Sequence, residues 1–265
     1  MKIARFRAKG NVRYGIVQED QIAEIRGGIF RGRFQTTGLS YKLSEVVLLP
    51  VTVPLQVIGG IGSNYRDHTA QAEETSGRKL GELGITPFPK SNASLTGSGM
   101  PIVLTPEARE VHYEGELVIV IGRKARHVSK ERALEYVLGY TCGNDVSEKS
   151  SWEKDTWHWR SKGIPTWGPV GPWIATDVDP SNLDITVRLN GQVEHKFTTR
   201  DMIHDVPTIV SYLTQYITLF PGDLIFTATS GTTRAMKPGD VVEVEISGIG
   251  TLRNPVVMEK RRGSR

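Results

Sequence analysis

The sequence has very little cysteine, since Cys142 is the only one in 265 residues. A single thiol excludes an internal disulfide and is compatible with a reducing cytoplasm, so we expect Cys142 to be a small core residue. The chain also lacks a run of about 18 apolar residues and a basic leader followed by an apolar stretch. We therefore predict neither a membrane span nor a secretory signal, and expect a cytoplasmic protein.

Excess positive charge is concentrated at the C-terminal end. The net charge is +4 and the pI is about 9.1, but residues 259–265 carry four positive charges and one negative charge. The rest of the chain is nearly neutral and has no basic stripe interleaved with aromatic residues, which argues against a nucleic-acid partner. We expect residues 259–265 to form a disordered basic tail.

The apolar content of 38% is ordinary for a globular protein, and the pattern divides the chain in two. Short alternating segments within residues 1–48 predict hairpin strands that cannot form a core alone. Pro50 and Pro54 mark the junction. We therefore predict a small β-hairpin module at residues 1–50, packed on a main domain at residues 51–258.

Helices are few in this pattern. Ser129 is expected to cap a helix that ends near Leu138 before Gly139, and Asp205 to cap a second one through about Ile217. Elsewhere, short strands follow turns such as the two Pro-Gly-Asp sequences at residues 221–223 and 238–240. This mixture predicts a strand-rich α+β fold rather than alternating βαβ units.

Residues 111–122 contain two glutamates at the start of an apolar, β-branched run, which predicts a strand buried on both faces. Side chains alternate across a strand, so Glu114 and Glu116 are expected to point to the same side. Two buried carboxylates repel each other unless a cation compensates them. A Glu-x-Glu pair is also common on exposed strands, which remains the alternative.

A third acid strengthens the metal hypothesis. Asp145 follows the small, nearly uncharged segment 139–144 in a similar setting. Together with Glu114 and Glu116 it offers three oxygen donors, which favour a hard cation, Mg²⁺, Mn²⁺ or Ca²⁺. The glycines at positions 59–62 lack the third glycine of a dinucleotide fingerprint, and the chain has no Gly-x-Ser-x-Gly elbow.

Six separated motifs then match one family in order. They are Asn-Tyr-Arg-Asp-His at residues 64–68, Tyr-Glu-Gly-Glu-Leu at 113–117, Asn-Asp-Val-Ser at 144–147, Lys-Gly at 162–163 running into 168–172, Phe-Pro-Gly-Asp-Leu-Ile at 220–225, and Lys-Pro-Gly-Asp-Val-Val at 237–242. This set resembles the fumarylacetoacetate hydrolase family over roughly residues 55–258. The resemblance implies a mixed β-roll or β-sandwich catalytic domain, a homodimer or larger assembly, and Mg²⁺ or Mn²⁺ as cofactor.

The resemblance also implies roles for individual residues. The metal ligands fall on Glu114, Glu116 and Asp145, in agreement with the argument from the residues alone. The active-site lysine falls on Lys162, and the lid histidine, a general base for water, falls on His68. Substrate contacts are expected from Tyr65, Arg66, Lys149 and Thr229. From the residues alone, Arg66 and Lys90 are expected in mobile segments beside the lid, where they would attract an anionic substrate. Residues 73–89, rich in glycine and charge, are expected to form a closing loop.

The sequence departs from the family pattern where substrate and water would bind. Gln71 stands where a glutamate usually orients the lid histidine, and a glutamine cannot stabilise an imidazolium by charge. Glu73 or Glu74 is a candidate substitute. Lys149 replaces an arginine and so loses its bidentate grip on a carboxylate, and Trp152 replaces a glutamine.

Three functions follow from the resemblance and these departures. The first is metal-dependent hydrolysis of a C–C bond in an acylpyruvate or β-diketo acid of small-molecule catabolism. The second is an isomerase, tautomerase or decarboxylase for an unsaturated 2-oxo dicarboxylate, such as 2-hydroxyhepta-2,4-dienedioate or oxaloacetate, which needs a metal enolate but no attacking water. The third is a metal-binding scaffold without activity. In the first two cases the partner is a small anionic oxo acid.

Two further features are of interest near these motifs. His112 flanks the glutamates and lines the site only if the strand is regular there. Five tryptophans lie close together in the sequence, and they are expected to be core or dimer contacts, with a substrate-pocket wall as the alternative. These residues are Trp152, Trp157, Trp159, Trp167 and Trp173.

Overall fold

The computed structural model describes residues 1–61, 64–67, 70, 84–150 and 155–260. Strands dominate these ranges, which confirms the predicted strand-rich α+β class. Helices with both ends in these ranges are α1 (Trp159–Lys162) and α2 (Val206–Tyr216), with 3-10 turns at Ile29–Arg31, Leu43–Glu45, Asn92–Ser94, Lys130–Tyr136 and Thr199–Asp201. No helix in the described ranges is both long and apolar enough to cross a membrane.

The strands follow one another along the whole described chain. In chain order they are β1 (Lys2–Ala8), β2 (Asn11–Gln18), β3 (Gln21–Gly28), β4 (Arg33–Lys42), β5 (Val47–Leu48), β6 (Val57–Gly59), β7 (Phe88–Lys90), β8 (Leu95–Thr96), β9 (Ile102–Leu104), β10 (Val111–His112), β11 (Gly115–Ile121), β12 (Val137–Asn144), β13 (Ser147–Glu148), β14 (Gly168–Ala175), β15 (Asp184–Leu189), β16 (Gln192–Thr198), β17 (Leu224–Phe226), β18 (Val241–Ile246) and β19 (Gly250–Met258).

The N-terminal strands continue the main sheet of the molecule. Its strand order is β4-β3-β2-β1-β14-β12-β11-β17-β6-β7, with β5 paired to β1 and β8 to β14. The link is the antiparallel pairing of β1 with β14, in which Ile3 lies opposite Ile174. Residues 1–50 therefore pack on the remainder through shared backbone hydrogen bonds as well as apolar contacts, and their boundary as a separate module stays a prediction.

β11 lies at the centre of the core because every one of its seven residues is buried. Leu117, Ile119 and Ile121 belong to one apolar cluster, whereas Val118 and Val120 belong to another on the opposite face. The second sheet, β16-β15-β18-β19-β9, packs near the start of this strand. A side-chain carbon at Gly115 would lie 2.6 Å from Val187 of β15, so glycine permits this close approach of the sheets.

One predicted helix is confirmed and the other is wrong in type and extent. α2 begins after Asp205, whose carboxylate accepts the N–H of Thr208 at 2.9 Å. Residues 130–136 form a 3-10 helix rather than an α-helix, and Val137 already begins β12. The reason is tertiary, because Val137 pairs with Ile121 of β11 and that pairing outweighs local helix propensity. Leu134 within this 3-10 helix is 46% exposed.

Candidate metal centre

The predicted strand over residues 111–122 is interrupted in the structure. β10 pairs with β13, whereas β11 pairs with β12. Glu114 lies in the break, where its N–H donates to Asn144 Oδ1 at 2.9 Å and its carbonyl accepts the N–H of Asp145 at 2.8 Å. The carboxylates of Glu114 and Glu116 lie on the same side, as expected. Glu114 itself is held by the side chain of Asn144 and the backbone of Asp145.

The three predicted acids nevertheless converge. Glu114, Glu116 and Asp145 each offer a carboxylate oxygen, and these atoms all lie within 4.8 Å of one another. The residues are 3%, 2% and 0% exposed. Burial raises the pKa of Glu116, and the charges of Asp145 and Glu114 raise it further. The charge of Lys162 lowers the pKa of Glu116, as does the backbone N–H of Ala228, which donates to Glu116 Oε2 at 2.7 Å.

Lys162 reaches two of the acids at once. Its Nζ lies 2.7 Å from Glu114 Oε2 and 2.7 Å from Asp145 Oδ2. Burial alone would lower the pKa of Lys162, but Asp145, Glu114 and Glu116 outweigh it and raise the pKa. In this arrangement the ammonium form is favoured, and the side chain donates hydrogen bonds to the two carboxylates.

The short helix α1 positions this lysine. The carboxylate of Asp155 accepts the backbone N–H groups of Arg160 at 3.0 Å and Ser161 at 2.6 Å. The N–H of Lys162 donates to the carbonyl of His158 at 2.9 Å, which closes one helical turn. A single helical turn is too short to be stable alone, so the buried carboxylate is an important part of its support.

Lys90 also belongs to this centre, and sequence reasoning missed it. The prediction that Lys90 lies in a mobile segment is wrong, because it ends strand β7 and is 4% exposed. Its Nζ lies 2.8 Å from Asp145 Oδ1 and also donates to the carbonyl of Lys162. The available signal was the alternation Phe88-Pro89-Lys90, which places the lysine on the buried face with Phe88.

Lys149 contacts the centre through Glu114. Its Nζ hydrogen-bonds to Glu114 Oε1, and its side chain is 18% exposed. Burial lowers the pKa of Lys149, and Glu114 opposes that shift. Its predicted contact with substrate remains a prediction.

The other predicted substrate residues lie in two segments that meet. Ser230, next to the buried Thr229, donates to both carboxylate oxygens of Asp67 at 2.8 and 2.6 Å. Tyr65 is buried against Phe197 with ring centroids 5.2 Å apart. Burial raises the pKa of Tyr65, followed by the nearby charge of Glu116.

Some of the predicted site residues are not gathered at the centre. Arg66 is exposed. His68, Gln71, Glu73, Glu74 and Trp152 lie outside the described residues, as does most of the proposed closing loop at residues 73–89. The last two residues of that loop, Phe88 and Pro89, belong to strand β7.

His112 is buried and hydrogen-bonded to its neighbours. Its Nδ1 lies 2.9 Å from Thr233 Oγ1, and its Nε2 lies 3.2 Å from Glu110 Oε1. Burial lowers the pKa of His112, and the charge of Lys149 lowers it further. Since the strand breaks directly after this residue, its position beside the glutamates does not follow from strand alternation.

The tryptophans divide into buried and exposed members. Trp167 is fully buried and donates its indole N–H to the carbonyl of Val103 at 2.8 Å. Trp173 is half-buried and donates to Ile249 in the same way at 2.6 Å. Trp157 and Trp159 are 72% and 71% exposed, so a core role is wrong for these two.

The comparisons with known proteins agree with this arrangement. The family model for the fumarylacetoacetate hydrolase C-terminal region matches residues 57–257, and a model named Rv2993c-like, N-terminal, matches residues 1–50. The chain belongs to the fumarylacetoacetate hydrolase family. The Mycobacterium tuberculosis protein Rv2993c is 43% identical, with 83% of this chain and 82% of that protein aligned.

Relatives with named activities differ in their reactions. A 2,4-didehydro-3-deoxy-L-rhamnonate hydrolase of Sphingomonas sp. is 34% identical over 97% of this chain and 96% of its own length. A 4-hydroxyphenylacetate degradation bifunctional isomerase/decarboxylase of Salmonella dublin is 36% identical over 79% of this chain and 49% of its own length. The family therefore includes both hydrolytic and non-hydrolytic enzymes, and the family alone does not determine the reaction.

Solved structures share the whole fold. The 5-carboxymethyl-2-hydroxymuconate delta-isomerase of Mycobacterium smegmatis has a TM-score of 0.89 and 37% identity, covering 98% of this chain and 100% of that one. Maleylpyruvate hydrolase of Sphingobium sp. SYK-6, solved with manganese(II) and pyruvate, has a TM-score of 0.80 and 28% identity with the same coverage. Three converging buried oxygens fit a hard divalent cation in the present chain as well.

Proposed function

We propose that this protein is a divalent-metal-dependent hydrolase that cleaves a C–C bond in an acylpyruvate or related β-diketo acid. The observation that carries the proposal is the convergence of Glu114, Glu116 and Asp145 around the ammonium group of Lys162. Mg²⁺ or Mn²⁺ is the proposed ion, because all-oxygen ligands suit these cations. When bound, the ion would act as a Lewis acid toward the substrate's oxo group.

The protein's own residues would supply the remaining chemistry. Lys162 would donate hydrogen bonds to the substrate carboxylate or to the oxygen on which negative charge develops. Thr229 would hydrogen-bond the carboxylate, and Tyr65, Arg66 and Lys149 would complete the substrate contacts. His68 would remove a proton from water, which attacks the distal carbonyl. The C–C bond then breaks, one acid forms from the attacked carbonyl, and the pyruvate fragment accepts a proton.

A second candidate is an isomerase, tautomerase or decarboxylase acting on an unsaturated 2-oxo dicarboxylate. The observation that favours it is Gln71, which carries no charge to stabilise a protonated His68. These reactions need the same metal platform but no attacking water. The isomerase and isomerase/decarboxylase relatives support it. A metal-binding scaffold without activity is the third candidate.

An assay with added Mg²⁺ or Mn²⁺ separates the three. Purified protein is offered acylpyruvates, fumarylpyruvate and oxaloacetate, and the products are followed by mass spectrometry and ultraviolet absorbance. Pyruvate plus a second acid supports hydrolysis, whereas CO₂ release or a spectral shift without cleavage supports the second candidate. If no substrate is turned over, the third candidate, a metal-binding scaffold without activity, is supported.

The ligand set has its own test. Glu116→Ala is expected to abolish both Mn²⁺ retention and turnover, because it removes one of three charged donors. Glu107→Ala is the control, since Glu107 is exposed and outside the centre. Normal metal-dependent turnover by the Glu116 variant would remove that residue from the ligand set.

We also propose a small anionic oxo acid as partner and a homodimer in a cytoplasmic setting, which the single cysteine supports. Size-exclusion chromatography with light scattering tests the assembly. A mass of one chain at micromolar concentration would contradict the dimer.

A further inference from the structure

Two hydrogen-bonded pairs join the segment that follows β6 to the segment that follows β17. Asn64 is fully buried, and its side-chain amide donates to the carbonyl of Thr227 at 3.0 Å. Ser230 is 5% exposed, and its hydroxyl donates to the two carboxylate oxygens of Asp67 at 2.8 and 2.6 Å. The two pairs are three positions apart in both segments, so they enclose two residues of each.

The enclosed residues belong to the proposed site. They are Tyr65 and Arg66 on one segment and Ala228 and Thr229 on the other. Ala228 donates its N–H to the proposed metal ligand Glu116 at 2.7 Å. The two pairs therefore set where three proposed substrate contacts lie relative to the metal centre.

Thr229 is held in place while its hydroxyl stays available. The residue is 2% exposed, and the one contact that the described residues give its Oγ1 is the carbonyl of Ser230 at 3.5 Å. This distance is longer than an ordinary O–H···O hydrogen bond. Because a buried hydroxyl normally has a good partner, this one suits an acceptor that a ligand supplies, such as a carboxylate oxygen.

The residues beyond Ser230 are fixed by other partners. Gly231 has a φ of +70°, and a Cβ there would lie 2.2 Å from His195 Cε1, so glycine allows the imidazole to pack on this backbone. Arg234 donates two hydrogen bonds to the carboxylate of Glu194, at 2.9 and 2.6 Å. Ser230 therefore lies in a well-supported stretch, from which it can hold a more exposed partner.

Asp67 is that exposed partner. We propose that Asp67 and Ser230 are positioning residues, whose hydrogen bonds hold Arg66 and Thr229 so that both contact the carboxylate of one substrate molecule. Contacts that are held in place before binding lose less conformational freedom, and they bind more tightly for that reason. The inference rests on the proposed function and goes beyond it, since neither residue is among the proposed substrate contacts.

Pyruvate is the probe, because it is the oxo-acid fragment of the proposed reaction. Its affinity for the full chain is measured by isothermal titration calorimetry with saturating Mg²⁺, and Mn²⁺ affinity is measured separately by equilibrium dialysis. Ser230→Ala and Asp67→Ala are each expected to weaken pyruvate binding by about tenfold and to change Mn²⁺ affinity by less than about twofold. The double variant should lose no more than either single variant, because both changes remove the same interaction.

Two further variants distinguish positioning from a general loss of structure. Asp67→Asn keeps an acceptor for the Ser230 hydroxyl, so it should retain most of the pyruvate affinity. Ser181→Ala is the matched control, since the Ser181 hydroxyl donates to Asp179 Oδ1 at 2.8 Å in an exposed turn. This control should bind pyruvate as the natural protein does, and circular dichroism establishes that all variants are folded.

The outcomes separate this inference from the proposed function. Natural pyruvate affinity in either alanine variant, or additive losses in the double variant, would overturn the positioning role and leave the metal-dependent function standing. Equal losses in Asp67→Asn and Asp67→Ala, or a parallel loss of Mn²⁺ affinity, would do the same. Failure of the natural protein to bind pyruvate with Mg²⁺ would overturn both.

Discussion

At the scale of single residues, Ala228 has a backbone conformation that suits glycine. Its φ is +79°, and its N–H donates to Glu116 Oε2 at 2.7 Å. The left-handed region costs an L-residue about 1–2 kcal/mol, a cost that glycine avoids. Glycine in turn increases the entropy of the unfolded chain, which offsets about 0.4–1 kcal/mol of that stabilisation. We expect Ala228→Gly to raise the free energy of unfolding by about 0.5–1 kcal/mol, measured by urea denaturation.

The matched control is Ala8→Gly. Ala8 is buried at the end of β1, with its φ outside the left-handed region. There glycine should lower the free energy of unfolding by about 0.5–1 kcal/mol. If both substitutions destabilise the protein equally, the backbone at position 228 is not strained.

Cys142 gives a second prediction at this scale. Burial raises the pKa of its thiol to about 12, above the ordinary 9.0. The thiolate is the reactive form, and it becomes populated only as the pH rises toward the raised pKa, so the native thiol stays protonated at pH 8. We expect iodoacetamide at pH 8 to leave the native protein unmodified and to add one label in 6 M guanidinium, as read by intact-mass spectrometry. Labelling of the folded protein at a similar rate would contradict this burial.

The residues of the centre differ in how far the sequence could reveal them. Glu114, Glu116 and Asp145 are acids beside apolar segments, so their residue type and local pattern already indicate an unusual environment. The sequence around Lys90 offers only the short alternation of residues 88–90 as an indication that its side chain is buried. It reaches Asp145 because β7 pairs with β6 and β6 with β17, and neither pairing has a local signature.

At the scale of elements, the two Pro-Gly-Asp turns look alike but are tied to their surroundings differently. The Asp223 carboxylate accepts backbone N–H groups from Phe220 at 2.8 Å, Gln56 at 2.8 Å and Leu55 at 3.1 Å, and the Gln56 side-chain amide at 3.1 Å. It therefore joins the start of β17 to the segment that enters β6. Each buried donor left unpaired costs about 1–3 kcal/mol, so we expect Asp223→Ala to lower the free energy of unfolding by about 3 kcal/mol or more.

Asp240→Ala is the matched control for this prediction. The Asp240 carboxylate accepts the N–H of Lys237 at 2.8 Å and the side-chain amide of Asn190 at 2.9 Å. With fewer donors left unpaired, a loss of about 1–2 kcal/mol is expected. Chemical denaturation of both variants checks the order, and an equal loss would show that the additional hydrogen bonds of Asp223 contribute little.

The elements themselves were predictable where local and tertiary preferences agree. Asp205 and Pro207 begin α2 as local rules require, and the helix packs its apolar face inward. Over residues 129–138 the local pattern favours a helix, but Val137 pairs with β11 and is therefore part of a strand. The break at residues 113–114 likewise comes from a change of pairing partner, since β10 turns to β13.

At the scale of the whole molecule, the strand-rich class follows from the alternating apolar pattern, whereas the order of the strands does not. β1 is the first strand of the chain, yet it lies between β2 and β14 in the main sheet. Pairing between residues so distant in sequence depends on which apolar faces fit together after collapse. The N-terminal segment is therefore part of the sheet that also contains β11, the strand in which Glu116 lies.

This placement predicts that residues 51–265 do not fold without residues 1–50. Deletion would remove the partner of β14 and uncover Val170 and Ile174, which are both fully buried beside Ile3. An open edge next to newly exposed apolar surface favours aggregation, so we expect the truncated chain to be insoluble on expression. Co-expression of residues 1–50 as a separate chain is the control, because recovery of soluble protein would attribute the loss to the missing strands. If residues 51–265 alone are soluble and unfold cooperatively by circular dichroism, the N-terminal segment is an independent module and the shared sheet contributes little to stability.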